Sequence, residues 1–241
     1  METIVVKDLP LYSAFRIDRG VTAFVGGGGK TTSMLRLAKE LSAFGRVLVT
    51  TSTHIFPPQT MPVLENPEED AVRAALLRDS PVCIGHPEAS GKLSAPAIPF
   101  KTLAALADYV LVEADGAKGL PLKAPADYEP VLPVSASLVI AVAGLDGIGR
   151  SVSDAAFRPE LYAGVLGVDT THIVAPADVA RVLCDDRGQH KHVRAPMRFA
   201  VLLNKADTGA RISLARQVAE ALDPARVSCA VIASSKEMEP C

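Results

Sequence analysis

The sequence predicts a three-layer α/β fold, with a mostly parallel sheet flanked by helices. Three observations carry this expectation. Short runs rich in Val, Leu, Ile and Ala recur along the chain and alternate with stretches of helical spacing. The runs are apolar throughout rather than alternately apolar and polar, the pattern of strands buried on both faces. Strand–helix alternation in turn favours parallel pairing through right-handed crossovers.

The elements follow in order. Residues 21–25 form the first apolar strand and end in glycines. Residues 31–44 have helical spacing, with Leu35, Ala38 and Leu41 on one face. Further strands are expected at 46–51 (RVLVTT), 109–113 (YVLVE), 138–143 (LVIAVA), 199–203 (FAVLL) and 230–233, with a weaker one at 171–174. Pro67 followed by Glu68, Glu69 and Asp70 opens a helix, because proline suits its first turn and acids suit its positive end. Pro159-Glu160 opens another that runs toward Gly167, and residues 210–222 form a last one. Residues 56–62 hold three prolines and read as a surface excursion. Residues 80–99 read as irregular or hairpin structure, and 188–196 as a loop. A single domain is expected, with insertions near 55–105 and 145–196.

Composition narrows the function. Of 241 residues, 49% are hydrophobic and 22% charged, which excludes a disordered chain. Acidic residues number 27 against 25 basic ones, so the net charge is −2 and nothing drives phosphate-backbone binding. Tryptophan is absent and aromatics are 5%, which argues further against a nucleic-acid platform. The longest apolar run, 138–142, is far short of the ~18 residues of a membrane span. The start, Met1-Glu2-Thr3, carries no basic and apolar leader. The four cysteines Cys83, Cys184, Cys229 and Cys241 are scattered without a CxxC pair, as in a reduced cytoplasmic protein.

The sharpest motif is Gly26-Gly27-Gly28-Gly29-Lys30-Thr31-Thr32, between a strand and a helix. That context suits a phosphate-binding loop. Glycines let backbone N–H groups converge on phosphate oxygens, and the helix presents its positive end to the same anion. Lys30 would reach the outer phosphates and the Thr31 hydroxyl would ligate Mg²⁺. The spacing is GxxGKTT, since Phe24 stands where the longer GxxxxGK[ST] loop has its first glycine. The shorter loop resembles that of Mur-type ligases, which bind ATP. With it the expected fold is P-loop NTPase-like.

Residues 109–112 run into Glu113-Ala114-Asp115-Gly116. Carboxylates at the carboxyl end of a strand beside a phosphate loop can hold Mg²⁺ directly or through water. Glu113 is the candidate metal or outer ligand, and Asp115 the group that would orient a water or acceptor. Lys118 and Lys123 could neutralise phosphate or an acidic substrate. Asn204-Lys205-Ala206-Asp207 resembles the NKxD motif of guanine-nucleotide proteins, where Asp207 would accept from the guanine N1–H and amine; Ser235 and Lys236 would support the base from the last loop. A helix-capping turn is the simpler alternative. Asp146-Gly147-Ile148-Gly149 reads as a glycine turn, with a sensor loop of the DxxG kind as the alternative. Residues 50–54 (TTSTH) would turn hydroxyls and His54 toward the phosphates, or cap the strand. Cys184, His190 and His192 match no zinc spacing. Tyr162 and Phe157 read as core residues.

Together, GGGGKTT, TTSTHIFPP, VEADGAKGLPLKAPADYEPVLP and NKAD resemble the YqeC family, from residue 20 to about 207 and most specifically over 112–133. The resemblance implies a role in maturation of selenium-dependent molybdenum hydroxylases. It also implies phosphate binding by Gly29, Lys30 and Thr31, an acidic role for Glu113 and Asp115, and a base loop at 204–207. Two positions depart from the family pattern: Tyr128 and Phe157 stand where histidines are expected. The expectation is a cytoplasmic Mg²⁺-dependent hydrolase or phosphoryl transferase using ATP or GTP. Its partners would be the nucleotide and a molybdenum hydroxylase or cofactor-insertion protein, without nucleic acid or membrane. A Mur-like ligase acting on a small acid and a non-catalytic nucleotide-gated chaperone are the alternatives.

Overall fold

A computed structural model describes residues 1–6 and 9–234. The strands are β1 (Glu2–Val5), β2 (Gly20–Gly26), β3 (Val47–Thr51), β4 (His54–Ile55), β5 (Val63–Glu65), β6 (Val82–Pro87), β7 (Leu93–Ser94), β8 (Tyr109–Glu113), β9 (Leu122–Lys123), β10 (Ala136–Gly144), β11 (Ala156–Phe157), β12 (Arg198–Asn204) and β13 (Cys229–Ile232). The helices are α1 (Leu11–Ala14), α2 (Lys30–Leu41), α3 (Glu69–Arg78), α4 (Phe100–Leu106), α5 (Val152–Ala155), α6 (Pro159–Leu166), α7 (Pro176–Cys184) and α8 (Gly209–Ala221).

The main sheet runs β1-β13-β12-β10-β2-β8-β3-β6-β7-β4, with β5 beside β6. Among the described residues the pairings from β1 through β6 are parallel, and only β7, between β6 and β4 at one end, runs against its neighbours. Each face is covered. Phe24, Val47, Val49, Leu111, Ile140 and Leu202 pack under α1 and α2; Val21, Ala23, Val25, Leu48, Val110, Val112 and Val139 pack under α3 to α8. This is the three-layer arrangement, and it explains why the strands carry no polar alternation.

Helix α2 buries Met34, Leu37, Ala38 and Leu41, the i, i+3, i+4, i+7 stripe of one helical face. The buried face is centred on Met34 and Leu37, with Leu35 at its half-buried margin. Helix α6 starts at Pro159 and stops at Gly167, whose φ of 73° suits a residue without Cβ. Helix α8 is capped by the Thr208 side chain rather than by Asn204 or Asp207.

Several expectations are corrected. Residues 171–174 form no strand: Asp169 turns the chain by accepting from the Thr171 N–H and hydroxyl, and one antiparallel bridge joins Ile173 to Ser151. Residues 80–99 are a hairpin rather than irregular, with β6 against β7, and Val82-Cys83-Ile84 of β6 also enters the core beside β3. Strand β1 and helices α4 and α7 were not foreseen. Phe157 is half-buried on a cleft instead of in the core, whereas Tyr162 is fully enclosed. Among the described residues no helix is long and apolar enough to cross a membrane.

Leu37 is fully buried between α2 and the sheet. Leu37→Ala should therefore lower the unfolding free energy by about 2–5 kcal/mol in urea titrations.

Candidate functional site

The carboxyl ends of β2, β3, β8, β10 and β12 lie along one edge of the parallel sheet, where ligands of such sheets collect. Residues 26–29 turn there from β2 into α2. Gly26, Gly28 and Gly29 have φ of 95°, 75° and 112°, a region that favours glycine. A Cβ on Gly26 would overlap the Val142 carbonyl, and one on Gly28 the Gly144 backbone. The glycines thus let the loop lie against β10.

The loop's own N–H groups are not all turned to the open side. Gly26 N–H donates to Asp115 Oδ2 at 3.0 Å, Gly27 N–H to the Val142 carbonyl at 2.9 Å and Gly28 N–H to the Leu120 carbonyl at 2.9 Å. What remains for an anion is Gly29 and the first turn of α2, whose N–H groups have no partner within the helix. Fewer loop N–H groups are therefore open to an anion than the glycine run implies.

Lys30 opens α2 with its side chain only 4% exposed. Its Nζ donates to the Gly26 carbonyl at 2.6 Å, and lies 3.1 Å from Asp115 Oδ1 and 3.8 Å from Glu113 Oε1. Asp115 Oδ1 lacks hydrogen-bond alignment, so its contact with Lys30 is an ion pair alone. Thr31 Oγ donates to Glu113 Oε2 at 2.6 Å. Glu113 sits in register between Phe24 of β2 and Thr51 of β3. Burial raises its pKa; Lys30 and the Thr31 hydroxyl oppose the shift without cancelling it.

Asp115 is fully enclosed and touches Lys30, Gly26 N–H and, at 3.1 Å, Lys123 Nζ. It faces the loop rather than the cleft. Lys123 is also buried; its Nζ donates to the Gly116 carbonyl at 2.6 Å and pairs with Glu129 at 2.9 Å. Glu129 in turn receives Arg158. Burial works to raise the Glu129 pKa, but hydrogen bonds from Arg158 and Lys123 outweigh it and hold the carboxyl below its ordinary range. The result is a chain of alternating charge, Lys30–Asp115–Lys123–Glu129–Arg158. Glu129 and Arg158 were not singled out from sequence, although Glu129 lies inside the most distinctive segment.

An open cleft of about 830 Å³ adjoins the loop. Gly28 to Thr32, Glu113 and residues 116–120 line one part, and the rest includes Ser52 to Phe56, Lys92, Tyr128, Glu129, Phe157 and Arg158. Thr50 and Thr51 do not reach it: their hydroxyls donate to the Ile84 and Glu113 carbonyls. His54 lines it and pairs with Glu88 at 3.0 Å.

Residues 204–207 lie at the end of β12, outside that lining. Asn204 Nδ2 donates to the Gly28 carbonyl at 2.8 Å, tying the two loops together. Lys205 Nζ meets Asp146 at 2.7 Å, so the 146–149 turn is joined to this loop. Asp207 pairs with Arg211 at 3.0 Å and accepts from the Ser234 hydroxyl. Ser235 and Lys236 lie outside the described residues. Cys184, His190 and His192 do not converge: Cys184 accepts from Asp223 N–H, His190 faces Asp186 and Arg226, and His192 meets the Pro130 carbonyl. Among the described residues no three His, Cys, Asp or Glu side chains could hold a metal together.

Residues 22–160 match the family model described as YqeC protein. The uncharacterized protein YqeC of Escherichia coli (strain K12) is 33% identical over 207 residues, covering 80% of this chain and 81% of that protein. The chain belongs to the YqeC family. The YqeC match spans the glycine loop, Glu113, Asp115, Lys123, Glu129 and Arg158, while the 204–207 loop lies beyond the residues that the family model matches.

Two predictions follow from the buried charges. Lys123→Met leaves Asp115 and Glu129 enclosed without their shared cation, and should cost about 3–5 kcal/mol in urea unfolding. The Glu113 pKa is raised on folding from about 4.5. Its contribution to stability is then fully present below that value and lost as pH rises through the folded pKa. Glu113→Gln should accordingly have a higher Tm than the parent at pH 7, and the difference should close toward pH 4.

Proposed function

We propose that this protein is a cytoplasmic, Mg²⁺-dependent P-loop nucleotide hydrolase or phosphoryl transferase. The observation that carries the reading is Lys30. It opens a helix directly after a left-handed glycine, is buried between two carboxylates, and has its Nζ on the loop's own Gly26 carbonyl. A buried ammonium held by a backbone carbonyl can move to a phosphate oxygen at little cost, since both are oxygen acceptors.

The hard oxygens of Thr31 and Glu113 fit a magnesium ion, which takes one or two protein ligands beside substrate phosphates. Their 2.6 Å contact brings the hydroxyl and the carboxylate to one point, and the raised pKa of Glu113 is what a nearby cation would offset. When bound, the ion supplies charge neutralisation to the phosphate oxygens. The chain's own part is positioning. Gly29 and the first turn of α2 bind the tail, and Lys30 donates to the transferred phosphoryl group. Asp115 acts through Lys30 and the Gly26 N–H, fixing both, and Asn204 holds the loop from the far side. In this reading Asp207 contacts the nucleobase and exchanges its Ser234 or Arg211 contact for the base.

The size of the cleft beyond the loop favours transfer to a second molecule over hydrolysis alone. The biological setting we propose, maturation of selenium-dependent molybdenum hydroxylases with such a hydroxylase or an insertion protein as partner, comes from the family resemblance.

Calorimetric titration of ATP and GTP with Mg²⁺ tests the reading. Binding should be abolished or severely weakened by EDTA, and Lys30→Ala should lower turnover by about 100- to 1000-fold. A Lys30→Ala protein with full turnover contradicts it. A GTP preference erased by Asp207→Ala supports the base loop, and equal affinities before substitution refute it.

A further inference from the structure

We propose that the outer part of the cleft is a second ligand subsite, for a small aromatic acid: a planar ring bearing an anionic group, bound beside the nucleotide tail. The proposal deepens the functional reading and rests on it for the ligand's place beside a nucleotide; the subsite itself stands on its own contacts.

The charge count comes first. The two glutamates lining the cleft are already compensated, Glu113 by Thr31 and Lys30, Glu129 by Lys123 and Arg158. Lys92 and Lys118 also line it, and among the described residues neither pairs with a carboxylate. The outer cleft is therefore left with positive charge that an anion would satisfy, and a second metal cation would be repelled.

Shape supplies the second half. Each free lysine lies over an aromatic face: Lys92 Nζ is 4.9 Å from the Phe56 centroid and Lys118 Nζ 5.5 Å from that of Phe157. The Arg158 guanidinium lies 4.8 Å from the Phe157 ring and 5.5 Å from that of Tyr128, and donates to the Tyr128 hydroxyl at 2.9 Å. Phe56 and Tyr128 are 65% and 70% exposed, so most of their apolar surface beyond these cations stays in water. Lys118 and Arg158 both hold left-handed backbones, at φ of 47° and 61°, conformations that cost energy in residues other than glycine. Two strained cations thus meet over one ring. Inorganic phosphate would satisfy the charge and leave the rings wet; an uncharged ring would do the reverse.

Position completes the argument. Asn204, Lys205 and Asp207 lie outside the cleft lining, so a base held there places only the phosphate tail in the cleft and makes no use of Phe56, Tyr128 or Phe157.

Calorimetry with phenyl phosphate tests this, with inorganic phosphate and benzyl alcohol as controls, on the full chain with and without saturating MgADP. Phenyl phosphate should bind both forms within about twofold of one affinity and at least about tenfold tighter than either control. Lys118→Met should weaken it about tenfold, and Lys118→Arg should restore most of the loss. Should Lys118→Met unfold, Phe157→Leu provides the same test through the ring. Loss of phenyl phosphate binding when MgADP is present would overturn the proposal, because the phosphate loop would then be its site. So would indifference to both Lys118→Met and Phe157→Leu, or binding no tighter than inorganic phosphate. If MgADP gives no heat while phenyl phosphate still depends on Lys118, the nucleotide reading fails and the subsite stands.

Discussion

Burying the Lys30 ammonium is the constraint on which the site depends. A lone charge at that depth would cost several kcal/mol, and the chain meets the cost by alternating sign. Asp115 answers Lys30, Lys123 answers Asp115, Glu129 answers Lys123, and Arg158 closes the series at the cleft. The series joins the end of β8 to strand β9 and the start of α6, the last two already in register through the β9–β11 pairing. It also crosses the glycine loop, because Asp115 accepts from Gly26 N–H. A phosphate that drew Lys30 toward itself would leave Asp115 to Lys123 and the Gly26 N–H.

The same edge of the sheet trades stability for chemistry. Glu113 is held in a place where burial penalises its charge, with only a hydroxyl and a distant ammonium in compensation. Phe56 and Tyr128 stand in water, and Lys118 and Arg158 carry strained backbones. All of these line one cleft. Away from the cleft both sheet faces are filled by aliphatic side chains and helices are closed by proline, glycine or a hydroxyl, although Arg16, Asn66, His192 and Lys205 are also left-handed and Leu77 and Val134 also exposed.

Much of this was legible in the sequence. Unbroken apolar runs identified β2, β3, β8, β10, β12 and β13 because strands buried on both sides need no polar face. GGGGKTT placed the loop and the start of α2 because few other local structures use that run of glycines before Lys-Thr. What escaped were features fixed by distant contacts. β6 has only three consecutive apolar residues between polar and proline-rich segments, and its pairing with β3, β5 and β7 is set by the fold. Residues 171–174 have strand composition, yet Asp169 turns them away from the sheet. Glu129 and Arg158 are 29 positions apart and meet only through folding. The 4% exposure of Lys30 and the engagement of the loop N–H groups by Asp115, Val142 and Leu120 are likewise invisible without the packed sheet.

The central claim is that Gly29, Lys30 and Thr31 grip a triphosphate tail. A crystal structure with Mg²⁺ and a non-hydrolysable nucleotide tests it most directly. The account predicts the tail across the start of α2, with Lys30 Nζ moved from the Gly26 carbonyl to a phosphate oxygen and Glu113 turned to the metal. A nucleotide bound elsewhere, with Lys30 still on Gly26, would contradict it.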